Sequence, residues 1–210
     1  MDIFMAFFDL VPVVLFLISA IRYQRDLYNK MSKGSFCLFA AGTIFVVVAG
    51  IFKAIYKILF YLNICDFASL NNCFFPMQTT GFVLAGSGIL AMLVHPQGEN
   101  KVYSFLPLPL LILAAPALYS GTMIFVVLMV LGVFVMDGCL IYIAIKKKVY
   151  VAIVLLVVTL ICTLGMGYLS TKPDLSDWIK EIVNTIGQAS FLISSIVLRK
   201  KGLSEANSLN

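Results

Sequence analysis

The sequence predicts an all-α integral membrane protein, a seven-transmembrane-helix bundle with its N-terminus outside and its C-terminus in the cytoplasm. Four observations carry that prediction. Of the 210 residues, 61% are hydrophobic and 12% are charged, too few charges to cover a water-soluble surface. The apolar residues fall in blocks long enough for the roughly 20 residues a helix needs to cross a bilayer. Runs such as Ile124 to Val135 and Val151 to Val158 do not alternate, whereas the strands of a membrane barrel would. Finally, the basic residues gather in alternate loops, which fixes the orientation.

Apolar stretches read against breakers give spans near 4–22, 35–61, 75–95, 103–119, 122–145, 149–169 and 177–199. Together they make residues 1–202 one bundle, and 203–210 a short cytoplasmic tail. The first span opens on Met1-Asp2-Ile3-Phe4 without the basic region of a signal peptide, so it is expected to be a retained helix. It carries Asp9 about 8 Å below its start, and Pro12 should kink it just beyond. The following loop holds Arg22, Arg25, Lys30 and Lys33.

The second span is long enough to tilt or to emerge from the hydrocarbon near Lys57 to Asn63. Lys53 and Lys57 stand one turn apart near its outer end. Gly42, Ala49 and Gly50 thin it, as Gly81, Ala85 and Gly88 thin the third; Gly81 and Ala85 form a small-xxx-small pair that allows close helix approach. The loop between them carries Cys65 and Cys73, which could pair in an oxidising compartment; spacing alone does not decide it.

The third span opens on Gln78, Thr79 and Thr80 and leads to Lys101. Pro107, Pro109 and Pro116 make the fourth irregular, as suits a linker or peripheral helix. The fifth carries Asp137 in its inner half, expected to hydrogen-bond privately to a neighbouring helix. Lys146, Lys147 and Lys148 follow, and Arg199, Lys200 and Lys201 end the seventh span, so the basic loops lie on one, cytoplasmic, side. The odd span count follows. Gln78-Thr79-Thr80-Gly81 is faintly echoed by Asn184-Thr185-Ile186-Gly187, as a duplicated three-helix unit joined by a linker helix would produce. The first and fifth spans show no match, however, and composition-biased helices often give such echoes by coincidence.

Polar side chains inside hydrocarbon cost several kcal/mol unless paired or hydrated, and so mark a functional interior. In the seventh span Glu181, Asn184 and Gln188 lie at i, i+3 and i+7 and share one helical face, continued by Ser195. Ile182, Ile186, Ile193 and Val197 occupy the other side. The candidate ligand-binding set is Asp9, Lys53, Gln78, Glu181, Asn184 and Gln188, converging from spans one, two, three and seven on an outward-facing pocket. Asp9 and Glu181 would be its acids and Lys53 its inner base. Two simpler readings stand beside it: Lys53 as a structural ion-pair partner of either acid, and the amides as interhelical glue. Lys57 and Lys180 are expected to snorkel to the outer interface.

Most chemistries are argued against. The sole histidine, His95, leaves no His-rich metal site and no HExxH motif. Ala85-Gly86-Ser87-Gly88 resembles the GxSG serine motif of rhomboid proteases, but the first glycine is missing and no late helix supplies a histidine. Gln188 stands where a retinal-binding lysine would be needed in a rhodopsin-like bundle. Hence no catalytic residues, metal or cofactor are expected. Asp9 and Glu181 against Lys53, Lys57 and Lys180 leave a slight positive excess, favouring an anionic ligand. The leading expectation is a protein of the plasma membrane that binds and transports a small polar or anionic solute. The rivals are a sensor or accessory subunit working through a partner membrane protein or a second copy, and a lipid-modifying enzyme. Nucleic acid is not an expected partner; membrane lipids are.

Overall fold

The computed structural model describes residues 3–94, 122–170 and 176–203. Every element there is helical: α1 (Ile3–Phe8), α2 (Leu10–Leu27), a 3-10 turn (Tyr28–Lys30), α3 (Lys33–Tyr61), α4 (Ala68–Asn72), α5 (Phe74–Val94), α6 (Thr122–Lys146), α7 (Tyr150–Ser170) and α8 (Asp177–Lys200). Six of the helical stretches are long and apolar enough to cross a membrane, as in a multi-pass membrane protein. The stretch 103–119, His95, Lys101 and the tail from 204 onward lie outside the described residues.

The first span runs on to Leu27 instead of ending near residue 22. Its extra turns are the polar segment Arg22 to Asp26, which stays helical past the apolar block. The helix is interrupted at Asp9, between α1 and α2. Pro12 explains the interruption: its nitrogen cannot donate to the carbonyl of Phe8, and its ring crowds that carbonyl. At the start of α3 the Ser32 hydroxyl accepts from the Ser35 backbone N–H at 3.2 Å, a capping contact.

The six long helices form a closed ring in chain order, α2–α3–α5–α6–α7–α8, with α8 returning to pack on α2. Helices α3 and α5 are antiparallel and approach closely through small residues. A Cβ on Gly42 would fall against the backbone of Ala85, and one on Gly81 would stand 2.7 Å from the Gly42 carbonyl oxygen. The small-xxx-small pair is thus used as expected. The Ser35 hydroxyl also donates to the Gly88 carbonyl across this seam.

Helices α5 and α6 run parallel. The Thr79 hydroxyl, near the start of α5, donates to the Phe125 carbonyl near the start of α6 at 2.8 Å. One turn and more below, Gly86 and Gly132 let the two backbones meet. The bundle therefore has a pocket end, where α2, α5, α6 and α8 begin, and a tail end, where they finish. At the tail end Lys147 donates to the Gly202 carbonyl at 2.7 Å, tying the α6–α7 turn to the end of α8.

Candidate functional site

Four helices deliver polar side chains to the interior of the pocket end. Asp9, at the interruption between α1 and α2, is buried, 6% exposed. From α3, Lys57 forms an ion pair with Asp9 and lies 3.7 Å from a carboxylate oxygen of Glu181 on α8. Asn184 donates to the other Glu181 oxygen at 3.4 Å, one turn down the same helix. One lysine thus ties the first span to the last. Phe8 and Trp178 flank this knot with ring centroids 5.6 Å apart.

Beneath the knot lies a partly open cavity of about 70 Å³. All six candidate residues, Asp9, Lys53, Gln78, Glu181, Asn184 and Gln188, line it. A water needs roughly 10–15 Å³ by this measure, so the space admits several waters or a small solute. Its floor includes Phe16 and Phe82, whose ring centroids are 6.0 Å apart. A second cavity of about 100 Å³ lies beside it, between α3, α5, α6, α7 and α8. Lys53, Gln78, Asn184 and Gln188 line both. The Oε1 atom of Gln188 is buried and has no hydrogen-bond partner among the described residues.

Lys53 and Lys57 exchange the roles expected of them. Lys57, expected to snorkel outward, is the ion-pair partner of the acids, and its side chain is only 15% exposed. Lys53 instead places its ammonium 4.4 Å from the centroid of the Phe74 ring, a cation–π distance. The reason is depth: the acids of α2 and α8 lie level with the last turn of α3, one turn above Lys53. Lys180 turns to Asp177 at 3.2 Å, near the start of α8. Removing it from the pocket leaves two acids against two lysines, so the positive excess counted from sequence vanishes.

On α8 the polar stripe and its apolar opposite are both as expected: Ile182, Ile186 and Ile193 are about half exposed, while Ser195 is fully buried. The sequence echo has a packing counterpart. Gln78 and Asn184 both line the cavities, while Gly81 and Gly187 take the close approach of α3 and α7 respectively. Cys65 and Cys73 are exposed and are not bonded to one another.

Toward the tail end the space between α2 and α8 is filled, while a cavity of about 270 Å³ opens between α2 and α3 beside Gln24 and Thr43. Phe16 stacks on Phe191 with centroids 5.9 Å apart, and Phe191 meets Tyr23 at 5.1 Å. The Tyr23 hydroxyl is hydrogen-bonded to that of Ser194 at 2.7 Å, and Arg199 stands 3.7 Å from Asp26. This second tie between α2 and α8 was not read from the sequence; Tyr23, Asp26, Ser194 and Arg199 on the inner parts of two spans were its only signal. Asp137 is fully buried, and neither carboxylate oxygen has a hydrogen-bond partner among the described residues. The private interhelical bond expected of it is absent among those residues. No family model matches this chain, and no curated protein or solved structure matches it either.

Proposed function

We propose that the protein binds a small polar or anionic solute in an outward-facing intramembrane pocket and carries it across the membrane. The observation that carries this reading is the cavity: six polar residues from four helices line one space, with a packed aromatic floor below it. A bundle that needed polar residues only as glue would have closed around them. Here they border room for water or ligand, and one amide oxygen lacks a partner. A vestibule at one end above a packed aromatic layer is what an alternating-access protein presents in its outward-facing state.

The seven-span arrangement, N-terminus outside, belongs to the same proposal. Since α5 and α6 run parallel, Val94 and Thr122 lie at opposite ends of the bundle. That separation, with the apolar sequence stretch 103–119, supports a further crossing. Arg22, Arg25, Lys33, Lys146, Lys148 and Lys200 all belong to helix ends and turns at the tail end, which supports a cytoplasmic tail.

The test is a thermal-unfolding screen of the purified chain against polar solutes of either charge, with Glu181→Gln alongside. A solute that raises the melting temperature of wild type but not of Glu181→Gln supports the pocket, since a ligand selective for the folded state stabilises it by mass action. Vesicle uptake of that solute then tests transport. If no solute binds and Glu181→Gln merely melts earlier, the polar set is structural glue. Recovery of one stoichiometric partner would then favour the accessory-subunit reading.

A further inference from the structure

Resting on the pocket reading above, we infer that the ligand is an amphipathic organic monoanion, its carboxylate held at Lys53 and its short apolar body lodged in the second cavity. The argument begins with the two lysines. Lys57 is occupied by Asp9 and Glu181. Lys53 has no carboxylate within ion-pair distance among the described residues; its recorded neighbour is the Phe74 ring. A partly buried ammonium inside a membrane bundle with no carboxylate in direct contact is costly. An incoming anion removes that cost, and Lys53 lines both cavities where such an anion would sit.

The second cavity decides the rest of the ligand. No acid lines it, and away from Lys53 its walls include Phe75, Val126, Met129 and Met166. Methionine and aromatic side chains adapt to apolar groups of varied shape. The volume of about 100 Å³ corresponds to about seven to ten water-sized sites, enough for a short chain or a single ring. The amides of Gln78, Asn184 and Gln188 border Lys53 and can turn an N–H toward a carboxylate. Asp9 and Glu181, lining the adjoining cavity, disfavour a second negative charge. One anionic group with an apolar body satisfies every wall.

The experiment uses the full chain in lipid nanodiscs, with butanoate, hexanoate, hexanamide, hexylammonium and leucine as probes. Thermal stabilisation and calorimetric affinity are read for each. Hexanoate should bind and hexanamide should not, and affinity should rise about fourfold per methylene from butanoate to hexanoate. Lys53→Met should reduce hexanoate to the level of hexanamide. Met129→Ser with Met166→Ser should flatten the chain-length dependence while keeping the preference for the anion. The wild-type contrasts need no variant, so a misfolded Lys53→Met leaves the proposal testable. Hexylammonium or leucine binding more tightly than hexanoate, lost in Glu181→Gln, would overturn the anion class yet keep the pocket. Silence from all five, with a hit from the polar-solute screen, rejects this ligand class alone. Silence in both experiments rejects the pocket as well.

Discussion

The two ends of the bundle are built from similar parts and do different things with them. Each joins the first span to α8 by acidic and basic groups and an aromatic contact: Asp9, Lys57, Glu181 and the Phe8–Trp178 pair at one end, Asp26, Arg199 and the Tyr23–Phe191 pair at the other. At the pocket end the ion pairs roof a cavity; at the tail end Tyr23 and Phe191 fill the corresponding place. Polar residues inside a membrane helix therefore do not define a site by themselves. The space left between them does.

Removing Lys57 should break this comparison most severely. With Lys57→Met, Asp9 and Glu181 face each other in a poorly hydrated interior, at a cost on the order of 3 kcal/mol. The melting temperature should fall by about 6–12 °C, and Asp9→Asn added to it should recover part of the loss. An unchanged melting temperature in Lys57→Met would mean that the roof is not a structural tie. Asp137 should behave in the opposite sense. It has no hydrogen-bond partner to lose among the described residues, so Asp137→Leu should leave stability unchanged or raise it by about 1–2 kcal/mol, as replacement of a buried ionisable group by apolar volume commonly does. A fall in stability would show that Asp137 has a partner outside the described residues.

Smaller effects sharpen the contrast. Tyr23→Phe keeps the aromatic packing and deletes only the bond to Ser194, which should cost about 1 kcal/mol. Solute binding at the pocket end should not change, as titration of the variant would check. The last prediction needs no change in stability at all. Cys162 lines the second cavity, whereas Cys139 is buried on α6. With Cys37, Cys65 and Cys73 changed to serine, a small polar thiol reagent should modify Cys162 and spare Cys139. Equal modification of both would show that water reaches the tail half as readily as the pocket half.

Much of the fold was legible because bilayer thickness is a strong ruler. Spans read as 35–61, 122–145 and 177–199 are helices Lys33–Tyr61, Thr122–Lys146 and Asp177–Lys200. The close seam of α3 and α5 was legible too, since Gly81 and Ala85 announce it by spacing. The candidate residues were legible as a set, because Glu181, Asn184 and Gln188 share a face on any helix. Which lysine meets which acid was not. Lys53 and Lys57 differ by one turn, about 5.4 Å, and the choice between them depends on how far α3 slides along α2 and α8. No periodicity within one helix contains that offset. The closure of α8 onto α2 was expected at the pocket end, through Asp9 and Glu181, but its second tie at Tyr23 and Asp26 was hidden for the same reason.

That closure has a consequence for how the protein is made. Domains and helices are completed in the order of synthesis, N-terminal first. Lys57 can meet Asp9 once the first two long helices are inserted, well before Glu181 has been translated. The early pair shelters both charges from the lipid during the vulnerable interval of assembly. The cavity has to wait, because its remaining wall, carrying Glu181, Asn184 and Gln188, arrives with the last helix. A chain cut short before α8 would thus retain its internal ion pair and lose its binding space altogether.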